Sequence, residues 1–212
     1  GQMSRQFHKA IRKNLIRDPY AGRRKPVLIN NWEATEMNFT ADKLVEFARE
    51  ASGLGLELFV MDDGWFGARN DDNAGLGDWT VNEKKLPGGL KALVERIKAL
   101  GMAFGLWIEP EMVNEDSDLY RAHPDWILNV PGRGPSRSRN QLVLDFSRQD
   151  VRDNIYEQIK KVLASADISY VKWDMNRSLT EVWSAALPAG RQGEVYHRYV
   201  LGVYEFAERL RR

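Results

Sequence analysis

The chain has 212 residues, 43% of them hydrophobic, a formal net charge of +1 and no cysteine. That length suits one domain or a large part of one, and the missing cysteine excludes disulfides, thiolate chemistry and cysteine-bound zinc. A charge so near neutral argues against a nucleic-acid partner, and the lack of a long apolar run argues against a membrane span, so a soluble, cytoplasmic protein is expected.

Phe7, Ile11 and Leu15 recur at a spacing of four, with Arg5, Lys9, Arg12, Lys13 and Arg17 between them. This is the pattern of an amphipathic helix with a solvated basic face. Asp18-Pro19-Tyr20-Ala21-Gly22 would break it. Residues 1–25 therefore read as a basic helical segment ahead of the main body, residues 26–212.

Pro26 to Trp32 is a short apolar run that closes in amides and an indole, and it reads as a buried strand. Thr40 is a suitable N-cap, Asp42 suits the first turn, and Leu44, Phe47, Ala48 and Ala51 mark a helix face. Glycines 53 and 55 stop that helix. A second strand, Leu56 to Met61, ends in Asp62-Asp63-Gly64-Trp65. Adjacent carboxylates at a strand end repel each other and both need partners, so they are a poor structural choice. A polar loop follows through Trp79; its Asp71-Asp72-Asn73 run lacks EF-hand spacing, and no metal is expected there.

Leu90, Leu93, Val94, Ile97 and Leu100 form the next helical stripe. A third strand, Ala103 to Ile108, ends in Glu109-Pro110-Glu111, two carboxylates expected to brace the rim through salt bridges. A long excursion to about Leu142 holds Pro124, Pro131 and Pro135, and Gln141 to Phe146 reads as an extra short strand. Ser147 is the expected cap of a helix with Val151, Ile155, Ile159 and Val162 inward. The fourth strand, Tyr170-Val171-Lys172-Trp173, runs into Asp174-Met175-Asn176-Arg177. Alternate strand residues share a face, so Lys172 and Asp174 point the same way. A cation beside a carboxylate keeps it charged, and a charged, positioned carboxylate can attack an acetal carbon. A last helix spans roughly residues 193–212.

Strand–helix alternation at this spacing implies parallel strands with right-handed crossovers. That leaves an open doubly wound sheet or part of a (β/α)8 TIM barrel. The first strand lacks a Gly-rich phosphate loop, which weakens the nucleotide-binding reading. Polar and aromatic residues end every strand, as in barrel enzymes that build one site on one rim.

The segments Pro26–Ala34 (PVLINNWEA), Asp62–Asn73 (DDGWFGARNDDN), Leu106–Asn114 (LWIEPEMVN), Tyr120–Trp126 (YRAHPDW), Arg139–Ser147 (RNQLVLDFS) and Lys172–Arg177 (KWDMNR), taken in order, resemble glycoside hydrolase family 36, the retaining α-galactosidases. The resemblance implies Asp174 as the catalytic nucleophile and Lys172 as a sugar ligand that keeps it charged. Asp62 and Asp63 would accept hydroxyls of galactose, Trp32 and Trp107 would wall the pocket, Arg139 would reach in from the long loop, and Asn176 would meet the 2-hydroxyl. No cofactor is implied. The family's acid/base aspartate follows a sixth barrel strand, for which these residues have no counterpart, so the fold expected is half a barrel of about four βα units. Bare strands at both edges of half a barrel would favour a homodimer that closes it. The expected activity is weak or absent; the alternative is a non-catalytic, self-associating scaffold with residual sugar binding.

Overall fold

A computed structural model describes residues 1–16 and 22–211 of the chain. The expected break at Asp18 to Ala21, and with it Arg17, lies outside the described residues. The first helix, α1 (Gln2–Asn14), forms as its spacing predicts, but it buries nothing. Its apolar stripe is as uncovered as its basic one: Phe7 is 61% exposed and Leu15 71%.

Strands β1 (Leu28–Asn30), β2 (Leu58–Met61) and β3 (Ala103–Ile108) come from the three expected apolar runs. A hairpin of β4 (Met112–Asn114) and β5 (Gln141–Val143) intervenes before β6 (Tyr170–Trp173). The main sheet has the order β1-β2-β3-β6 and is parallel throughout. The chain is therefore an α/β fold whose strands lie side by side in chain order, with no reversal of the kind that marks a doubly wound sheet.

The first run is shorter than its sequence suggests. Trp32 does not end a strand; it opens a one-turn helix, α2 (Trp32–Thr35). The Asn31 amide donates to the Thr35 hydroxyl and fixes that turn. The helix α3 (Ala41–Gly53) starts where predicted, because the Thr40 hydroxyl accepts from the Lys43 amide. Ala41, Leu44, Val45, Ala48 and Ala51 form its buried face. Helix α4 (Gly89–Lys98) buries Leu90, Leu93, Val94 and Ile97, all of them expected. A short helix, α5 (Asp118–Ala122), lies inside the long excursion and is capped by Ser117.

Helix α6 (Gln149–Ala164) turns Val151, Ile155, Ile159 and Val162 inward as expected, but Ser147 does not cap it. The Ser147 hydroxyl donates instead to Asp145, which also accepts from Ser184. Helix α7 (Val195–Leu210) buries Val195, Tyr199, Gly202 and Phe206. Val203 and Leu210 on the same helix are only partly buried against the core. A Cβ on Gly202 would lie 2.0 Å from the Phe146 carbonyl oxygen, so α7 can pass this turn only on a glycine. The opposite side of α7 leaves Tyr196, Val200, Leu201 and Tyr204 exposed.

Burial divides the sheet. Every residue of β2 is buried, and all of β3 except Ala103. The outer strands are half open, with Leu28 44% and Tyr170 40% exposed. Among the described residues no helix is long and apolar enough to cross a membrane.

Candidate active site

Because all four main strands are parallel, their C-terminal ends fall on one rim. Asn30 ends β1, while Asp62 and Asp63 follow β2, Glu109 follows β3 and Asp174 follows β6. The chain must turn sharply at each end while presenting polar groups. After Asp63 the turn is made at Gly64, where φ is +102° and an added Cβ would lie 2.9 Å from Met37 Cβ.

One cleft on this rim is lined by Trp32, Asp62, Asp63, Trp107, Arg139, Lys172, Asp174 and Asn176. These are all eight positions picked out by the sequence. The cleft itself is small, about 120 Å³. A larger hollow of about 530 Å³ lies between α4 and α6, but it is bordered by an ordinary surface ion pair, Lys98 with Asp167. Convergent chemistry, rather than size, selects the rim.

Asp174 sits just past β6, with its Oδ2 accepting from the Trp107 indole at 3.0 Å and from the Asn176 amide at 3.1 Å. Its Oδ1 accepts from the Met175 backbone N–H at 3.0 Å. Burial alone would raise this carboxyl. The three donors, with a smaller contribution from the Lys172 charge, outweigh burial and hold it below the ordinary carboxylate range. The group is thus ionised and oriented.

Lys172 lines the cleft and its charge helps to lower the Asp174 carboxyl, but its direct partner is another carboxylate. Its ammonium pairs with Asp62 Oδ2 at 2.7 Å; among the described residues this is its ion pair. Indole and amide donors do most of what the lysine was expected to do for Asp174. Asp62 also accepts from the Asn30 side chain and from the Asp63 backbone N–H. The adjacent carboxylates are kept apart by having separate partners. Asp63 is forked by Arg69, whose Nη2 lies 2.8 Å from Oδ2 and whose Nε lies 3.0 Å from Oδ1. Burial nevertheless pushes the Asp63 carboxyl up.

Trp107 is not an open flat wall. It is 1% exposed and lies in a block of rings. Phe66 stacks on it at 6.1 Å and 7°, and Trp79 packs 6.2 Å away. The Trp65 indole donates to the Trp107 carbonyl at 2.9 Å. What Trp107 offers the cleft is its N–H edge. Trp32 is half-buried and keeps a surface free to form a wall. Trp173 packs edge-on against Phe206 and donates its indole N–H to Glu111, a packing role consistent with its direction.

Glu109 and Glu111 make no salt bridges among the described residues. Glu109 is fully buried and accepts from the Gln141 side chain and the Asn176 backbone. Burial, reinforced by the negative charges of Asp174 and Asp63, pushes it up to about 7 despite those donors. Glu111 accepts from Trp173 and the Tyr199 hydroxyl, and burial raises it too. Arg177 turns away from the cleft: its Nη1 donates to the Ser136 and Gln141 carbonyls and ties the long excursion down.

Sequence reasoning missed Arg69, Asn114 and Gln141, all 0% exposed. Arg69 had a visible signal, a lone cation in a Gly-rich loop between two Asp-Asp pairs. Asn114 and Gln141 had none, because their partners lie far away in sequence.

A family model described as melibiase matches residues 1–212. Alpha-galactosidase AgaA of Geobacillus stearothermophilus is 56% identical over 208 residues, which are 98% of this chain and 28% of that protein. The bifunctional alpha-galactosidase/sucrose kinase AgaSK of Mediterraneibacter gnavus is 55% identical over 98% of this chain and 21% of its own length. A GH36 AgaA structure in complex with raffinose, also from Geobacillus stearothermophilus, superposes with a TM-score of 0.94 at 56% identity, covering 97% of this chain and 29% of that one. The chain spans between a fifth and a third of the length of these relatives. It belongs to the melibiase family, the GH36 α-galactosidases.

Proposed function

We propose that these residues form the nucleophile-bearing half of a retaining α-galactosidase site, carried on half of a (β/α)8 barrel. The observation that carries the reading is Asp174: a carboxylate held ionised by three N–H donors at a strand's C-terminal end, facing a cleft of sugar ligands. In this reading Asp174 attacks the anomeric carbon and forms a glycosyl-enzyme. Lys172, Asp62, Asp63, Arg139 and Asn176 hold the hydroxyls, and Trp32 and the Trp107 edge shape the walls. Retaining chemistry needs a second carboxyl about 5–5.5 Å from the first to protonate the leaving oxygen. That acid/base is assigned to a strand beyond these four.

Support for a barrel comes from the sequential parallel order and from the rim position of the site. The open outer strands and the exposed apolar side of α7 support further βα units, or a second copy of the chain, packing there. In this reading residues 1–25 are a segment separate from the half-barrel, residues 26–212, a division supported by an α1 with no buried residue. Relatives crystallised with raffinose and stachyose support an α-galactoside as substrate. The reading includes a cytoplasmic location and uses neither metal nor cofactor.

By itself the 212-residue chain is expected to be slow on natural galactosides and faster on aryl α-galactosides, whose leaving groups need less acid help. Comparing the chain with Asp174→Asn on an aryl α-galactoside tests this. Loss of turnover in the variant supports the nucleophile, and equal rates refute it. The half-open edges also favour a self-associating scaffold that binds sugar without turning it over. Light scattering at micromolar concentration addresses association, and a stable folded monomer would refute closure by a second copy.

A further inference from the structure

Asp72 lies in the loop after β2, outside the cleft, yet its Oδ1 serves two guanidiniums. Arg69 Nη2 is 3.3 Å away and Arg139 Nη2 is 3.5 Å away. These arginines differ in every other respect. Arg69 is fully buried and spends its remaining N–H groups on Asp63, the Ala74 carbonyl and Asn114 Oδ1. Arg139 is exposed and lines the cleft. Its φ of +52° lies in the left-handed region, which a non-glycine residue occupies only when its surroundings require it.

Those surroundings are two stitched loops. Asn114 is fully buried and donates to the Asp72 carbonyl at 3.1 Å and to the Asn140 carbonyl at 2.9 Å. The Asn140 side chain donates to Asn73 at 2.8 Å. The backbones at both ends of the Asp72–Arg139 pair are therefore fixed, and the pair itself sets where the guanidinium points. An arginine already held loses less freedom when a ligand arrives.

We propose that Asp72 is a positioning residue of the sugar cleft: it holds the Arg139 guanidinium at the cleft and, through buried Arg69, ties it to Asp63. A donor and a carboxylate at a fixed spacing suit a sugar's neighbouring hydroxyls, each of which both accepts and donates. This rests on the reading that the cleft takes galactose.

The test uses the full 212-residue chain, D-galactose and calorimetry. Asp72→Asn is expected to raise Kd about three- to five-fold, the size of an exposed ion pair. In an Arg139→Gln background the same change is expected to do nothing further. Without ligand, the Arg139 Nε–H NMR signal is expected to shift in Asp72→Asn while the melting temperature stays put. An unchanged Kd, additive effects in the double variant, or an unmoved Arg139 signal would each overturn the proposal. If the parent chain binds no galactose, the functional reading falls and this proposal with it. If the parent binds and Asp72→Asn matches it, only this proposal falls.

Discussion

The middle of the main sheet and its two margins obey different physics. Strands β2 and β3 are closed on both faces by helices and rings, and the only open residue in them is Ala103. Strands β1 and β6 carry the same kind of apolar sequence but keep Leu28 and Tyr170 half in water. The middle can be stable on its own account, whereas the margins have been given apolar side chains with nothing over them. Yet the margin strand β6 carries Asp174, so the proposed chemistry sits on the less supported part of the sheet, and the middle reaches out to steady it through Trp107.

The contrast is sharpest in stability. Phe59 is fully buried in β2, between Phe47 and Phe104. Phe59→Ala is expected to cost about 3–5 kcal/mol in urea unfolding. Next comes the carboxyl beneath the rim. Glu109 is pushed up to about 7, above its unfolded value, so the folded state binds the extra proton between those two values. Its stabilising contribution is complete below about pH 4.5 and is lost as pH rises through about 7. Glu109→Gln should flatten that slope, gaining on the parent by on the order of a few kcal/mol between pH 5 and pH 8. A parent curve without this slope would place Glu109 in water and break the contrast.

Gly105 stands at the seam between middle and margin. A Cβ there would meet Tyr170 Cδ1 at 2.9 Å and Val60 Cγ2 at 3.1 Å. Gly105→Ala is expected to cost about 1–3 kcal/mol, nearer the lower figure because half-open Tyr170 can yield. Leu28→Ala, on the margin itself, should change stability by no more than about 0.5 kcal/mol in the monomer. If that cost grows with protein concentration, the margin is being covered by another copy.

The sequence made the middle easy to read and the margins harder. The apolar runs of β2 and β3, the Thr40 cap and the stripes of α4 and α6 are local, and each formed where its residues say, while the run of β1 gave up its end to α2. Polar groups at strand ends pointed to Asp62, Asp63, Lys172 and Asp174, since such groups have no packing reason to be there; Trp32, Trp107, Arg139 and Asn176 were named through the family resemblance, and all eight line the one cleft. What failed was whatever depends on a distant partner. Ser147 looks like a cap until Asp145, itself held by Ser184 39 positions on, takes its hydroxyl. Lys172 looks like the companion of Asp174 alone, whereas Asp62, 110 positions away in the chain, also takes its ammonium. β4 is three residues long and exists only because β5 pairs with it across the long excursion.

Trp107 reaches one way into the packed rings of Phe66 and Trp79 and the other way to a carboxylate oxygen. A carboxylate tethered so has its aim set from behind, by apolar bulk outside the cleft. Trimming Phe66 or Trp79 would leave every polar group of the cleft chemically intact and still leave Asp174 slack. Engineers who wish to alter what the cleft accepts should therefore vary the loop residues above it and leave those rings alone.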